Sequence, residues 1–389
     1  MPTNSSKTAF KRFRVWEVVV PVRADLVSAA PHRGLSYSAS TTWPQDPIHL
    51  VEGETESGLL ALGESGRGQS SEMVEMTLRG LLGVRLDHAT SASLWSTPSP
   101  KGVLPPPFPL HSWEVPAGRS LALMETLWLD AVGKSAGVPA HVLFGGAVRD
   151  RVAVDFWANR PDAATLVRLV GEAVKRGCLG MKLKCDALGD TVDSIVAAAG
   201  DLPAGFRFTV DPMCAWRTFR ESWKLAERLS ALNLPVQIED PFPHAAVEDW
   251  RRLRTTLPIP LIWHARDAAT LGLGLSERVA DAYNMGCISG YEFRQFADVA
   301  AFGAFDCWQG SSLELGVIQA ARLHSASTAR NCVLPSDLQS TWVRESTLVT
   351  PTMEFQEGFA CVQNRPGLGV ELDHEAVARY TRRCWEVAL

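Results

Sequence analysis

The first part of the chain alternates apolar and polar positions with a period of two, the pattern of strands with one buried face. Three such runs, "FRVWEVVVPV", "HLVEG" and "GLLALGE", lie between residues 13 and 65, separated by turn-forming residues. They predict a small antiparallel sheet. The later segment "AGRSLALMETLWLDAVGKSAG" carries apolar residues at helical spacing and closes on a glycine, so we expect a helix there.

From about residue 151, short apolar runs alternate with amphipathic stretches. This alternation is typical of parallel strands joined by helices. Eight such units predict a compact (β/α)₈ barrel of TIM type, followed by a tail that could return to the N-terminal sheet. The runs that we interpret as strands are "RVAVDFWA", "LGMKLKC", "FRFTVD", "PVQIED", "PLIWHA", "DAYNM", "FDCWQG" and "CVLPSD".

Composition narrows the class of protein. The 389 residues are 46% hydrophobic, enough for a sizeable core, and their net charge of −5 is too mild to indicate a nucleic-acid-binding surface. The eight cysteines form no C-x-x-C pair, so neither a zinc ribbon nor a redox dithiol is expected. No apolar run reaches about 18 residues and no signal-peptide cleavage site is evident, so we expect a cytoplasmic protein that does not bind membranes.

Polar residues end several of the predicted strands, where the active sites of such barrels lie. Lys182 and Lys184 are two apart on one strand and therefore share a face. A buried, unpaired ammonium is costly, so two of them need partners. The residues to be considered together are Lys182, Lys184, Asp211, Glu239, Asp240, His264 and Asn284.

Asp211 and Glu239 end consecutive predicted strands, in "FTVDP" and "QIEDP". Two carboxylates brought that close repel each other unless a cation lies between them, and hard oxygen ligands suit Mg²⁺. The alternative is that each carboxylate caps the helix that follows it. The neighbouring lysines can also be interpreted in two ways. A desolvated lysine beside a cation can act as a general base. Alternatively, each lysine is a structural partner of a barrel carboxylate.

Other candidates carry less information. His264 follows Trp263 at a strand end, and a lone histidine is more often structural than a metal ligand. Tyr37, Trp43 and Trp308 could line a pocket, although aromatic residues are more often part of a core. The glycines of "GESGRG" (63–68) lack the strand–turn–helix context of a dinucleotide site, so we interpret them as a loop.

Five segments, in this order, resemble the enolase superfamily, specifically its mandelate racemase and muconate lactonizing branch. "METLWLDAVGKSAGVPAHVLFGGAVRDRV" is similar to the helix and Gly-Gly linker that lead into that family's barrel. "MKLKC" resembles its K-x-K motif, and "TVDPMCAW" and "IEDPFP" resemble its first two metal-ligand strands. "GSSLELG" is similar to its seventh-strand segment, which bears an acidic residue, here Glu314.

The resemblance implies an α/β fold in which an α+β capping domain, built from both termini, covers a modified (β/α) barrel. Its expected parts are a capping domain over 1–148, a barrel over 149–340, and a C-terminal tail over 341–389 that returns to the cap. The chain would then act on a small carboxylic acid, and a homo-oligomer is expected.

The resemblance also implies the chemistry, which is removal of the proton α to a carboxylate, with Mg²⁺ or another divalent cation stabilising the enediolate. Lys184 would be the base, Lys182 its neighbour that can hold the carboxylate, and Asp211 and Glu239 metal ligands. A loop over 32–43 would cover the substrate. The implied substrate-binding residues are His32, Tyr37, Trp43, Trp308 and Glu314.

Three positions depart from the family pattern. The fifth strand should end in an acidic third metal ligand, but it reads "PLIWHARD", so His264 or Asp267 would have to substitute. Imidazole is a poorer ligand of Mg²⁺ than carboxylate and favours softer ions. The sixth strand has Gly286 where the muconate branch has a lysine, and the seventh lacks the histidine of the racemase branch.

With a base evident on one side only, the sequence favours a one-base reaction, the dehydration of a hydroxy acid or sugar acid by Lys184. A racemase, epimerase or cycloisomerase would need a second base, for which His264 or Cys287 is the candidate. The alternative outside enzymes is a divergent member that binds a ligand without turnover.

Overall fold

The structure is a computed structural model that describes residues 9–27, 46–84, 120–216, 218–286 and 290–388. Its N-terminal part contains the predicted antiparallel sheet, in which the first strand pairs with the second and the second with the third. The elements are β1 (Phe10–Val18), a 3₁₀ turn (Ala24–Leu26), β2 (Ile48–Thr55), β3 (Leu60–Glu64), α1 (Ser71–Leu81), α2 (Leu121–Ala136) and α3 (Ala140–Leu143).

The predicted long helix is confirmed as α2, and both of its ends follow from local chemistry. The side chain of Ser120 accepts a hydrogen bond from the backbone N–H of Leu123, which satisfies one of the free donors of the first turn. The helix ends at Gly137, whose φ of 70° is the left-handed conformation that favours glycine.

A seven-stranded parallel sheet follows β4 (Arg151–Ala153), and its strands are hydrogen-bonded in chain order. The strands are β5 (Phe156–Asn159), β6 (Gly180–Lys184), β7 (Arg207–Asp211), β8 (Val236–Glu239), β9 (Leu261–Ala265), β10 (Ala282–Met285) and β11 (Asp306–Gln309). The helices are α4 (Ala163–Lys175), α5 (Asp190–Ala198), α6 (Phe219–Ser230), α7 (Val247–Thr256), α8 (Ala268–Glu277), α9 (Gly290–Phe302) and α10 (Gly316–Thr328), with a 3₁₀ turn at Ala199–Asp201.

The prediction of an eighth regular strand in "CVLPSD" was wrong. Instead, Cys332 forms a single parallel bridge with Cys307 of β11, and Ser336 forms another with Val154, just before β5. Pro335 lies inside this segment and has no backbone N–H to donate to a ladder. The segment therefore joins the two edges of the sheet by isolated bridges, which makes the structure a modified barrel.

The C-terminal tail returns to the N-terminal sheet, as expected. Its last strand, β16 (Thr381–Ala388), pairs antiparallel with β1, so that the order of the sheet is β16-β1-β2-β3. The elements of the tail are α11 (Ser340–Val343), β12 (Val349–Thr350), β13 (Phe355–Gln356), β14 (Phe359–Cys361), β15 (Glu371–Leu372), α12 (His374–Tyr380) and β16 (Thr381–Ala388).

The fold is thus the predicted α/β class, a modified TIM-type barrel with an α+β cap formed from both ends of the chain. Apolar residues of β5 to β11 and of the surrounding helices form the barrel core, and a second cluster lies between the cap sheet and α2. Among the described helices, none is long and apolar enough to cross a membrane. The division at 148 and 340 stays a prediction.

Candidate active site

A cavity of about 380 Å³ opens at the C-terminal ends of the barrel strands. Both the barrel and the cap contribute to its wall, and the cap contributes mainly through the segment after β3. The barrel residues in the wall include Lys182, Lys184, His264, Asn284, Gly286, Glu314, Arg322 and Asp337, and the cap residues are Gly66, Arg67, Gln69 and Ala122. Of the segment "GESGRG", the first two residues end β3, and only residues 65–68 form the predicted loop, which faces the cavity.

Lys182 lies inside a ring of three carboxylates. Its Nζ donates to Glu239 Oε1 at 3.0 Å and to Asp337 Oδ2 at 3.1 Å, and Asp211 Oδ2 is 3.5 Å away. The indole ring of Trp308 lies 5.8 Å from the same ammonium. Burial by itself lowers the pKa of Lys182, but the three carboxylates outweigh it and raise the pKa well above its usual value. Lys182 therefore stays charged.

Lys184 shares Asp211 with Lys182 but is more open to the cavity. Its Nζ donates to Asp211 Oδ2 at 2.5 Å. The side chain of Lys184 is 15% exposed, against 5% for Lys182. The two lysines thus lie on one face of their strand, as the spacing predicts, and share Asp211; Lys184 is the more open of the two to a ligand in the cavity.

Asp211 and Glu239 differ in their tendency to ionise. Burial raises the pKa of both carboxyls. In Asp211 the charges of Lys184 and Lys182 outweigh burial, so the pKa falls below its usual value. In Glu239 burial and the charge of Asp211 dominate and raise the pKa to about 8. A second cation near Glu239 would therefore be stabilising.

Neither Asp211 nor Glu239 caps the helix that follows its strand, so the alternative interpretation of the two carboxylates as helix caps is wrong. Helix α6 is capped by Thr218, and the residue before α7 makes no side-chain capping bond. Asp211 Oδ1 instead accepts from the backbone N–H of Met213, and Glu239 Oε1 accepts from Asn284 Nδ2 at 2.8 Å.

His264 lies beside Glu239, with 3.5 Å between His264 Nδ1 and Glu239 Oε1. Its Nε2 is buried without a hydrogen-bond partner in the described structure and lies over Gly286. Burial, helped by the charge of Arg266, lowers the pKa of His264 far below 6.5, so the imidazole is neutral. Asp267, the other candidate, has its Oδ1 engaged in capping α8, where it accepts from the N–H of Thr270, and it does not line the cavity.

The remaining predicted residues have different positions. Glu314 lines the cavity, where it forms an ion pair with Arg322 Nε at 3.0 Å. Trp308 lies beneath Lys182, packed against Ile262 and Ala282, and does not belong to the cavity wall. The predicted residues outside the described part of the chain are His32, Tyr37, Trp43 and Cys287.

Sequence reasoning missed Asp337, which holds Lys182 from the segment that closes the barrel between β11 and β5. The available signal was its place at the end of the eighth strand-like run. It also missed Arg67 and Gln69, for which the only signal was a glycine-rich loop after β3.

The donor types of this site suit a divalent cation, although the ligand atoms of its three donors are not all within 4.8 Å of one another. Asp211 and Glu239 already converge on one cation, the Lys182 ammonium, and Glu239 Oε2 has no hydrogen-bond partner besides that ion pair. His264 adds a neutral imidazole next to Glu239. Two carboxylates with one imidazole suit ions such as Mn²⁺ and Zn²⁺, whereas Mg²⁺ prefers a set made of oxygens only.

Comparison with known proteins agrees with this architecture. Residues 165–377 match the family model described as enolase C-terminal domain-like. Muconate cycloisomerase 1 of Rhodococcus opacus is 24% identical over 92% of this chain and 96% of its own length. A probable glucarate dehydratase of Streptomyces coelicolor is 28% identical over 67% of this chain and 65% of its own length. The crystal structure of an N-succinyl Arg/Lys racemase from Bacillus cereus superposes with a TM-score of 0.79 at 18% identity, covering 97% of this chain and all of the other.

Proposed function

This chain belongs to the enolase superfamily, in its muconate lactonizing and mandelate racemase-like branch, and we propose that it removes the proton α to the carboxylate of a small acid. The reaction that we favour is the dehydration of a hydroxy acid or a sugar acid. The observation that carries the proposal is that Lys182 and Lys184 line the cavity and are held there by the buried carboxylates of Asp211 and Glu239.

The two lysines have different roles in this proposal. Lys182 is held by three carboxylates and remains an ammonium, so it cannot accept a proton. It supplies fixed positive charge for the substrate carboxylate. Lys184 contacts a single carboxylate and lines the cavity, so in its neutral form it takes the α-proton.

The proton balance needs no second base. Lys184, once protonated, returns the proton to the β-hydroxyl, which departs as water from the same side of the substrate. Where the α-carbon also carries a hydroxyl, as in a sugar acid, the product is an enol, which becomes a 2-keto acid by taking up a proton from water at the β-carbon and losing its O–H proton. A single lysine thus serves first as base and then as acid.

Members of this superfamily generally use a divalent metal, usually Mg²⁺. Here Asp211, Glu239 and His264 would hold the ion. When bound, it would supply positive charge that stabilises the enediolate. His264 would be the third donor, and its low pKa keeps its imidazole neutral and able to bind an ion.

Racemisation is the second candidate function, favoured by the position of His264. Its unpartnered Nε2 lies over Gly286, where the family pattern has a lysine, and both residues line the cavity. A proton acceptor there would face the substrate from a strand other than β6. Exchange of the α-proton with solvent deuterium for both enantiomers of a substrate would favour this function over dehydration.

The proposal is tested with Lys184→Ala on a library of hydroxy acids and sugar acids, with formation of keto acid as the readout. Loss of a general base should reduce turnover by about 10²–10⁴-fold. The matched control is Lys175→Ala at the end of α4, outside the cavity wall, which should keep wild-type turnover. Full activity of Lys184→Ala would contradict the proposal.

A second measurement separates an enzyme from a ligand-binding relative. Mn²⁺ or Mg²⁺ should raise the melting temperature of the wild type, because a ligand of the native state stabilises it. Asp211→Asn should lose this rise. A chain that binds acids yet shows neither a metal effect nor turnover would be a binding protein.

A further inference from the structure

Cys214, Asp240 and His244 form a second cluster of metal-ligating side chains in the loops that follow β7 and β8. One ligand atom from each residue lies within 4.8 Å of the other two. We propose that this cluster is a second cation site, separate from Asp211 and Glu239, that takes a thiophilic divalent ion such as Zn²⁺. The proposal goes beyond the reaction proposed above and does not depend on it.

The carboxylate of Asp240 lies between the thiol and the imidazole. His244 Nε2 is 2.9 Å from Asp240 Oδ1, and Cys214 Sγ is 3.7 Å from Asp240 Oδ2. Ligand atoms around tetrahedral Zn²⁺ lie about 3.5 Å from one another, given bonds of about 2.0–2.3 Å. Small side-chain rotations would therefore bring the three donors around one ion, with a fourth position open.

The backbone and the ring packing hold these donors in place. The N–H of Cys214 donates to the carbonyl of Asp240 at 2.8 Å, so the two loops are tied together beside the cluster. The ring of His244 stacks on Trp263, with centroids 4.0 Å apart and planes 13° apart. Such fixed donors lose little conformational freedom when an ion binds.

Arg266 is the group that an ion would have to replace. Its Nη2 donates to Asp240 Oδ2 at 3.0 Å and thereby neutralises the buried carboxylate. The side chain of Arg266 is 43% exposed and lines the cavity of the candidate active site. A divalent ion on Asp240 would displace the guanidinium, which would then be available to an anionic substrate.

The donor chemistry selects the ion. Thiolate, imidazole and carboxylate together suit borderline-soft ions and disfavour Mg²⁺. Burial and the charge of Asp240 raise the pKa of the Cys214 thiol, so it stays protonated when no ion is bound. Because the ion binds the thiolate, its uptake releases a proton, and the affinity should rise with pH.

Co²⁺ titration of the metal-free, full-length protein tests the proposal by spectroscopy. A thiolate bound to Co²⁺ gives a charge-transfer band in the near ultraviolet, which carboxylates and imidazoles do not. We expect this band in the wild type, at one Co²⁺ per chain, and its loss in Cys214→Ser. The matched control Cys361→Ser, at another partly exposed cysteine, should keep it.

Asp211→Asn distinguishes this site from the one proposed for catalysis, and should keep the band. Absence of the band in the wild type, its persistence in Cys214→Ser, or its loss in Asp211→Asn would each overturn the proposal. Arg266→Gln removes the competing cation, so it should tighten Co²⁺ binding at this band at least several-fold. If Arg266→Gln bound Co²⁺ no more tightly than the wild type, the ion would not displace the Arg266 guanidinium from Asp240.

Discussion

His264 and Gly286 depend on each other for space. A β-carbon placed on residue 286 would overlap Nε2 of His264. The family pattern has a lysine at position 286 and an acidic metal ligand where this chain reads His264 and Ala265, and here the imidazole fills the volume that such a lysine would need. The two departures are therefore one linked change, in which His264 stands next to Glu239 because residue 286 has no side chain.

Gly286→Ala tests this linkage. The added methyl group should push the imidazole of His264 away from Glu239, so that the third ligand position is no longer held. Loss of a group that orients a metal ligand typically costs about 10-fold or more in metal affinity. We expect a weakening of at least this size for Mn²⁺, measured by electron paramagnetic resonance of free Mn²⁺.

The control for this experiment is Gly272→Ala in α8, where an added β-carbon meets no atom within 4 Å. It should leave Mn²⁺ affinity unchanged and, as alanine favours helices, stabilise the fold by about 0.5–1 kcal/mol. Equal Mn²⁺ affinity in the wild type and Gly286→Ala would show that His264 is not a ligand.

The N-terminus of helix α10 is capped by a carboxylate of the N-terminal capping domain. Glu64, the last residue of β3, accepts from the backbone N–H groups of Leu315 at 2.5 Å, Val317 at 3.0 Å and Ile318 at 2.9 Å. The residue before the helix makes no side-chain capping bond, so Glu64 supplies the cap from 251 positions away in the sequence. The three N–H donors favour the ionised carboxylate, but burial of Glu64 outweighs them.

A second helix is held in the same way. Glu125 of α2 accepts from the N–H groups of Gly290 at 2.6 Å and Tyr291 at 2.9 Å, at the start of α9. Two buried carboxylates of the cap therefore dock on the N-termini of two adjacent barrel helices. These contacts fix the loop after β3, and with it Arg67 and Gln69, over the cavity.

The titration of Glu64 predicts how the docking responds to pH. Burial raises the pKa of Glu64 from 4.5 to about 7. A carboxyl group with a raised pKa contributes its full stability below pH 4.5 and loses it as the pH rises through 7. Relative to Glu64→Gln, which does not titrate, the wild type should thus lose up to ~3 kcal/mol of unfolding free energy between pH 5 and pH 8.

Urea denaturation of both proteins at pH 5, 6, 7 and 8 measures this difference. Glu375→Gln, which changes an exposed carboxyl at the surface, should reproduce the wild-type pH profile. The assignment of a raised pKa to Glu64 would be contradicted by a difference in unfolding free energy between the wild type and Glu64→Gln that stays constant with pH. A difference that grows in favour of the wild type toward pH 8 would contradict it as well.

Local periodicity was enough to predict the alternating strands and helices and the shared face of Lys182 and Lys184, because both depend on near neighbours in the sequence. It did not reveal that "CVLPSD" closes the sheet by isolated bridges, since this depends on two distant edges meeting. The contacts of Glu64 and Glu125 were missed for the same reason, and so was the partner of Asp337, although Asp337 itself ends a strand-like run. Each acts on a group more than 150 residues away, which a local pattern cannot indicate.

The cap and the barrel share a core in addition to these polar contacts. One apolar cluster contains Trp16 and Leu62 from the cap sheet together with Leu315 and Val317 at the start of α10. Leu348 of the tail belongs to the same cluster. Shared buried surface of this kind couples the unfolding of its two sides, so we expect the chain to unfold as one unit although the barrel and the cap have different architectures.

Val387→Ala tests this coupling from the far end of the chain. Val387 lies on β16 and is buried in the cap cluster with Phe13 and Val15, so the truncation should cost about 2 kcal/mol. Calorimetry should show a single transition that moves as a whole to lower temperature, with equal calorimetric and van't Hoff enthalpies. Phe302→Ala, at a side chain that is 94% exposed, should change stability by less than about 0.5 kcal/mol. Two separate transitions, of which Val387→Ala shifts only one, would mean that a cap made of 1–148 and 341–389 folds independently of a barrel over 149–340.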